Sequence, residues 1–229
     1  CGDQVVFTTP DVSQACQGAP SVTDYDGNIY NTVQIGNQCW MRENLRTTHY
    51  ADGTSIPVAS TFSDIACLYV PDGNPDTCGY LYNWTALMHN ASSSSTNPSG
   101  VQGVCPNGWH VPSSTEWTQL ANYLSMYHIC GSNNTNIAKS LASPSGWNTY
   151  SETCTVGNDQ DSNNSTGFSA FPVGFFIYYN QLGGCACLWS ATEINSVFAC
   201  YLSLWYNRAT MSNEEVMKYC GLSVRCLRD

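Results

Sequence analysis

The spacing of apolar residues changes several times along the chain, and each change predicts an element. Val5-Val6-Phe7-Thr8-Thr9 is a short β-prone run closed by Pro10, followed by Cys16 and the Gly18-Ala19-Pro20 break. Residues 1–20 therefore form an extended arm with one strand, too short to bury that strand by itself. Asp26-Gly27 is a turn. Ile29–Ile35 then predicts a strand, Gly36-Asn37 reverses the chain, and Gln38-Cys39-Trp40-Met41 returns it. Residues 43–80 are broken by Pro, Gly and Asp and predict loops. Leu81–Met88 is apolar and predicts a short helix.

The clearest helix follows Pro112. Ser113 and Glu116 have capping-box spacing, and Trp117, Leu120, Ala121 and Leu124 recur on one helical face. Cys130-Gly131 ends this pattern, Ile137–Ala142 predicts a second short helix, and residues 143–166 form a polar loop. The last third alternates again: Gly167–Ile177, Cys185–Ser190, Val197–Tyr206 and Gly221–Leu227 predict strands. Strands at both ends with helices between them predict an α+β domain over residues 21–229, with the two chain ends in one sheet.

Composition narrows the function. Charged residues are 10% of the 229, with 7 Lys+Arg against 17 Asp+Glu and a net charge of −10. So few cations cannot neutralise a phosphate backbone, which argues against nucleic acid as a partner. Aromatics at 12% are enough to fold a core. No apolar run reaches the length of a transmembrane helix, and no leader pattern is present, so a signal peptide is expected to have been removed already.

There are 13 cysteines, at positions 1, 16, 39, 67, 78, 105, 130, 154, 185, 187, 200, 220 and 226. They lack CxxC spacing, which speaks against a zinc ribbon and for the disulfide framework of an exported protein. All of Cys1, Cys16, Cys39, Cys67, Cys78, Cys105, Cys130, Cys154, Cys185, Cys187, Cys200, Cys220 and Cys226 are disulfide candidates. Spacing suggests Cys67–Cys78 as a local staple and Cys130–Cys154 as closure of the loop after the helix. An odd count leaves one thiol free, lipid-modified or bonded to another chain, and Cys1 is a candidate for a lipid anchor.

A series of strings then becomes recognisable: Thr23-Asp24-Tyr25-Asp26-Gly27-Asn28-Ile29-Tyr30, Val33 to Met41, Glu43-Asn44-Leu45 and Gly53-Thr54-Ser55-Ile56-Pro57. Further on come Gly79 to Trp84, Cys105-Pro106-Asn107-Gly108-Trp109-His110-Val111-Pro112, Glu116-Trp117, Gly167 to Pro172, Trp189-Ser190-Ala191-Thr192-Glu193 and Ser223-Val224-Arg225-Cys226. In this order, over roughly residues 22–229, the chain resembles the Fibrobacter succinogenes major paralogous domain family. The resemblance implies an exported bacterial surface protein, often a lipoprotein. Through a distant similarity to formylglycine-generating enzymes, it also implies a C-type-lectin-like fold. The first 20 residues lie outside it.

Candidate chemistry is sparse. Cys185 and Cys187, two apart in a strand, face the same side and are expected to bond two different partners. A reactive cysteine needs an electropositive setting, which this chain lacks, so no catalytic residue is assigned and the protein is not expected to be an enzyme. His49, His89, His110 and His128 lack metal-ligand spacing, and His110 is expected to be packed and hydrogen-bonded. Asp159, Asp161 and Asn163 alternate like the start of a calcium loop, but the EF-hand glycine and glutamate are missing; calcium is the one cofactor considered. Lectin-type Glu-Pro-Asn and Gln-Pro-Asp strings do not occur. Trp40, Trp84, Trp109, Trp117, Trp189 and Trp205 are expected in the core, and Glu43, Glu193 and Arg225 as buried or half-buried groups with fixed partners. Asn-x-Ser/Thr strings make Asn83, Asn90, Asn133, Asn163 and Asn164 glycosylation candidates, with covalent glycans as an associated expectation.

These observations predict an extracellular or cell-surface protein. The favoured function is a structural subunit of a filament or pilus-like appendage. It would form a homo-oligomer by adding residues Val5, Val6, Phe7, Thr8 and Thr9 to a neighbouring sheet. The alternatives are a monomeric, lipid-anchored adhesin or glycan-binding module, and a cysteine-dependent oxidoreductase related to formylglycine-generating enzymes.

Overall fold

A computed structural model describes residues 14–127, 129–176 and 181–229. Cys1, the Val5–Thr9 run and His128 lie outside the described residues. The larger sheet is built from β1 (Ser21–Thr23), β2 (Ile29–Ile35), β3 (Gln38–Met41), β6 (Trp109–His110) and β10 (Leu227–Arg228), in the order β1-β2-β3-β10-β6. All of its neighbours are antiparallel. The first and last described strands thus share one sheet. Between β3 and β6 lie β4 (Leu68–Tyr69), α1 (Pro75–Cys78), β5 (Leu81–Tyr82) and α2 (Trp84–Met88). Next come α3 (Ser114–Ser125) and α4 (Ala138–Leu141). A three-stranded antiparallel sheet follows: β7 (Cys185–Glu193), β8 (Phe198–Trp205) and β9 (Ser212–Met217). Mostly antiparallel sheets with few short helices make this an α+β protein.

Helix α3 forms where predicted. Ser113 Oγ accepts from the Glu116 amide at 3.2 Å, and Glu116 Oε2 accepts from the Ser113 amide at 2.9 Å. Its apolar face buries Trp117, Leu120 and Leu124 against Val33, Ile35 and Trp40. Trp40 and Trp117 stack at 4.5 Å. The helix ends at Ser125, ahead of Cys130-Gly131. The β2–β3 hairpin needs glycine at position 36 twice over. Its φ is +58°, and a Cβ there would lie 2.9 Å from the Tyr123 ring. Strand β7 alternates across two apolar layers, with Cys185, Cys187 and Trp189 in one and Ala186 and Leu188 in the other.

Other elements differ from expectation. Leu81–Met88 splits into β5 and α2, because Asn83 caps α2 by accepting from the Ala86 amide at 2.8 Å. Residues 167–176 make only isolated bridges, Ala170 with Ala142, Gly174 with Ala186 and Phe176 with Gly221; Pro172 and the positive φ of Gly174 break any continuous ladder. The 221–227 stretch switches partners residue by residue, Leu222 to Tyr82 and Ser223 to Leu188, so only its end is a strand. Strand β9 has no apolar alternation to announce it: Ser-Asn-Glu-Glu-Val-Met becomes a strand by pairing with β8.

Three disulfides join Cys16–Cys39, Cys105–Cys226 and Cys130–Cys154. The last closes the loop after α3, as its spacing suggests. The first ties the arm to its own domain within one chain, and the backbone agrees: Gln34 N donates to Gln14 O at 2.9 Å and Thr32 N to Pro20 O at 3.1 Å. Residues 14–20 thus run along the edge of β2. Cys67 and Cys78 do not bond. The Asn83 side chain holds Cys67 through its amide and sulfur at 3.2 and 3.3 Å. The Cys78 sulfur fills the space beside Gly73, 2.9 Å from where a Cβ would stand.

Candidate functional site

Six described cysteines are unpaired: Cys67, Cys78, Cys185, Cys187, Cys200 and Cys220. Cys185 and Cys187 share one face of β7, and neither bonds a separate partner. Their sulfurs lie 3.5 Å apart. Strand pairing places Ser203 opposite Cys187, Trp205 opposite Cys185 and Tyr201 opposite Trp189. Tyr201 donates its hydroxyl to Glu214 Oε2 at 2.7 Å, and Arg208 donates to Glu214 Oε1 at 3.0 Å. Ser203 Oγ and Trp205 Nε1 have no hydrogen-bond partner in the structure. Burial, then Cys185, then Glu214 push the Cys187 thiol well above the usual range. Burial pushes Cys220 up to about 12. A thiolate is the nucleophile, so these protonated, buried thiols are poorly suited to attack.

A second cluster surrounds His110, which is 2% exposed. Its Nε2 lies 2.8 Å from Glu116 Oε1 and its Nδ1 2.7 Å from Asp229 Oδ1. Burial by itself would lower its pKa, but the two carboxylates outweigh it and raise the pKa above the ordinary histidine value. A raised folded-state pKa contributes stability in full below the unfolded value of about 6.5, and that contribution fades as pH rises through the folded pKa. Denaturation midpoints are therefore expected to fall from pH 6 towards pH 8.5, with a shallower fall in His110→Gln. Identical slopes for the two proteins would refute the assignment.

Beside the 159–163 loop, the calcium candidate, lies a cation of the chain's own. Lys139 Nζ donates to the carbonyl of Asp159 at 3.1 Å, to that of Thr155 at 3.4 Å and to that of Asn158. Asn163 points inward and uses its amide NH2 on the Ser143 and Val156 carbonyls, both at 3.1 Å, while its buried Oδ1 has no hydrogen-bond partner. The side chains of Asp159 and Asp161 are on exposed residues. Among the described residues no group of three or more His, Cys, Asp or Glu is placed to hold a metal. Burial lowers the Lys139 pKa, and the Asp159 charge opposes this only in part. Lys139→Met is expected to cost about 3 kcal/mol by orphaning the carbonyls that the ammonium binds, read by urea denaturation. Added calcium should leave the wild-type melting temperature unchanged; a rise of several degrees would reinstate the metal loop.

The 47–55 loop assembles residues that sequence spacing did not connect. Asp26 Oδ1 lies 2.5 Å from His49 Nδ1, and Oδ2 accepts from the Thr48 amide at 2.5 Å. Partial burial raises the Asp26 pKa, but these bonds outweigh it and hold the carboxyl below its usual range. His89 stacks on Tyr50 at 3.6 Å and lies 4.0 Å from Asp52. Tyr25, 60% exposed, lies against Gly53 beside His49. Only the folded loop brings these pairs together, because they are over 20 positions apart.

The remaining candidates separate by burial. Arg225 is buried and donates to Asn44 Oδ1 and to the Met41, Phe168 and Ser169 carbonyls. Glu43 is half-buried and accepts from Asn31. Glu193 is exposed, not buried, and pairs with Lys218 at 2.5 Å. Trp40, Trp84, Trp109, Trp117 and Trp189 are buried, and Trp205 is half-buried. Asn83 and Asn163 are buried with their side-chain NH2 groups bonded to backbone carbonyls, which disfavours them as glycan acceptors; Asn90 and Asn133 are exposed and Asn164 half-buried.

No helix of the described residues is long and apolar enough to cross a membrane. Neither a curated protein nor a solved structure matches the chain. The model of the Fibrobacter succinogenes major domain family matches residues 33–228. Its span begins in β2, ends in β10 and takes in the buried Arg225, the His110 cluster and the unpaired thiols, so the chain belongs to the Fibrobacter succinogenes major domain family.

Proposed function

We propose that this is an exported bacterial surface protein acting as a non-catalytic structural subunit. It would form an extracellular, pilus-like filament by gripping a neighbouring protomer with the β-prone run Val5–Thr9. The supporting observation is the root of that segment. The Cys16–Cys39 disulfide and the Gln34–Gln14 backbone bond fix the chain to a sheet edge just downstream of it. A pull on the segment therefore enters the domain through a covalent bond to β3, as a subunit under tension requires. Disulfides suit an oxidising, extracellular setting. The interior charges are paired within the domain and the thiols are buried, which favours structure over catalysis. The C-type-lectin-like architecture implied by the motifs belongs to the same proposal, supported by terminal strands that share one sheet.

The test is removal of residues 1–12, which keeps Cys16. Sedimentation velocity and electron microscopy should show assemblies of the full chain and monomers of the truncated one. Added salt should favour assembly, since copies carrying −10 repel each other. Monomers in both cases would end this reading. A second reading, a glycan-binding module, is favoured by one observation: the exposed Tyr25 ring beside the Asp26–His49 pair offers a stacking face next to hydrogen-bonding groups.

A further inference from the structure

The β2–β3 hairpin and the outer side of α3 enclose a groove of about 450 Å³, within the range of pockets that bury a small ligand. Ile35, Gly36, Gln38, Gln119, Tyr123 and Met126 line it, and no charged residue does. Met126, 62% exposed, puts an apolar side chain at the rim of this groove beside Tyr123. Two other grooves contain charge: one holds His110 and Asp229, the other Arg42, Glu43, Asp76 and Arg225.

We infer that this uncharged groove is the docking site for the Val5–Thr9 segment. The inference deepens the assembly reading by naming the receiving surface. Three observations select the occupant. The described chain begins at Gln14, whose carbonyl is bonded to the Gln34 amide, and Gln34 immediately precedes the groove residue Ile35. Because residues 14–23 run antiparallel to β2, continuing upstream from Gln14 leads past Ile35 towards the hairpin and α3. The segment ending at Thr9 lies five residues upstream of Gln14, a reach of at most about 17 Å. Its composition also matches: Val, Val, Phe, Thr and Thr carry no charge, and in a chain of net charge −10 an uncharged surface accepts another segment without repulsion. The apolar side chains meet Met126 and Tyr123, while Gln119, whose Oε1 accepts from Asn97, keeps its amide NH2 as a donor to an extended backbone. Because the same segment can enter its own groove or that of a second copy, exchange between protomers yields the head-to-tail chain of the assembly reading.

The experiment uses the full chain with a photo-crosslinking benzoylphenylalanine at position 126. After irradiation and reduction, peptide mapping should find position 126 joined to a peptide containing residues 5–9. Phe7→Asp should reduce this product at least tenfold while the disulfides and circular dichroism stay unchanged. Crosslinks to other surfaces only, or a yield indifferent to Phe7→Asp, would overturn the docking site. Mixing equal amounts of light and 15N-labelled protein before irradiation separates this inference from the assembly reading. Hybrid light–heavy products support both. Products within one isotope only support the groove while ending the exchange between protomers.

Discussion

A chain in which Cys105 and Cys226 are both alanine is expected to lose about 5 kcal/mol of folding stability. The bond closes a sequence separation of 121, and chain-entropy loss grows with the logarithm of that separation. The same relation predicts about 3.4 kcal/mol for Cys16–Cys39 and for Cys130–Cys154, whose separations are 23 and 24. Cys105 and Cys226 are both 0% exposed, so alanine at these positions also leaves space in the core. The geometric role adds to this. Cys226 precedes β10, the strand that joins β3 to β6 in the larger sheet, and its carbonyl accepts from the Met41 amide at 3.2 Å. Since a domain's whole stability is about 5–15 kcal/mol, the double variant should be largely unfolded near its former melting temperature. Urea denaturation of the three double variants checks the ranking. A Cys105/Cys226 variant no weaker than the other two would refute the argument.

Arg225 carries the second large effect. Its side chain is 1% exposed and donates at 2.8 Å to Asn44, at 3.2 and 2.5 Å to the Met41 and Phe168 carbonyls, and at 2.9 Å to that of Ser169. Its guanidinium also lies 4.7 Å over the Phe168 ring. Burial pulls its pKa down to about 9, but four oxygen acceptors hold the charge, so the group is a cation at neutral pH. Arg225→Met fills a similar space but orphans all four acceptors. A loss of about 4 kcal/mol is expected, because a buried polar group without a partner costs about 1–3 kcal/mol and the orphaned groups relax in part. Arg225→Lys should lose nearly as much, because one ammonium cannot span acceptors arranged for a planar fork. Denaturation midpoints decide between these expectations and a spectator role; a lysine variant as stable as wild type would refute the planar-fork argument.

Both effects concern how the 167–171 and 221–228 segments are held. Arg225 ties 168 and 169 to 41 and 44, and the disulfide ties 226 to 105. The sequence reading treats both segments as strands because they are rich in Phe, Val, Leu and Gly. The structure makes them largely irregular, and such segments need side-chain donors to satisfy carbonyls that a ladder would otherwise satisfy. A buried cation in a chain this poor in charge serves that purpose. Its presence beside an apolar string was legible; its four partners, 56 to 184 positions away, were not.

The candidate clusters divide in the same way. The Ser113–Glu116 capping box is a local pattern, and it forms. That Glu116 also bonds the imidazole of His110 depends on the approach of β6, which periodicity does not encode. The strand position of Cys185 and Cys187 follows from a period of two. That they stay unpaired follows from what packs across the sheet: Trp205, Ser203 and Tyr201 stand opposite in β8, and no third cysteine does. The polar 158–163 loop looked like a place for a cation. Lys139 on α4, a neighbour only in space, brings its ammonium to the backbone carbonyls there.

The amino-acid sequence by itself determined the α+β class, the capped helix α3, the β2–β3 hairpin, the Cys130–Cys154 loop and membership in the Fibrobacter succinogenes major domain family. Each rests on short-range periodicity, turn chemistry or an ordered series of motifs, which operate over a few residues or survive as strings. Tertiary structure alone decided which of the other cysteines pair, that polar β9 becomes a strand, that Lys139 binds the carbonyls of the 155–159 loop and that an uncharged groove opens beside the root of the arm. Those outcomes depend on groups brought together from far apart in the chain, where burial and unsatisfied carbonyls, rather than local propensity, set the free energy.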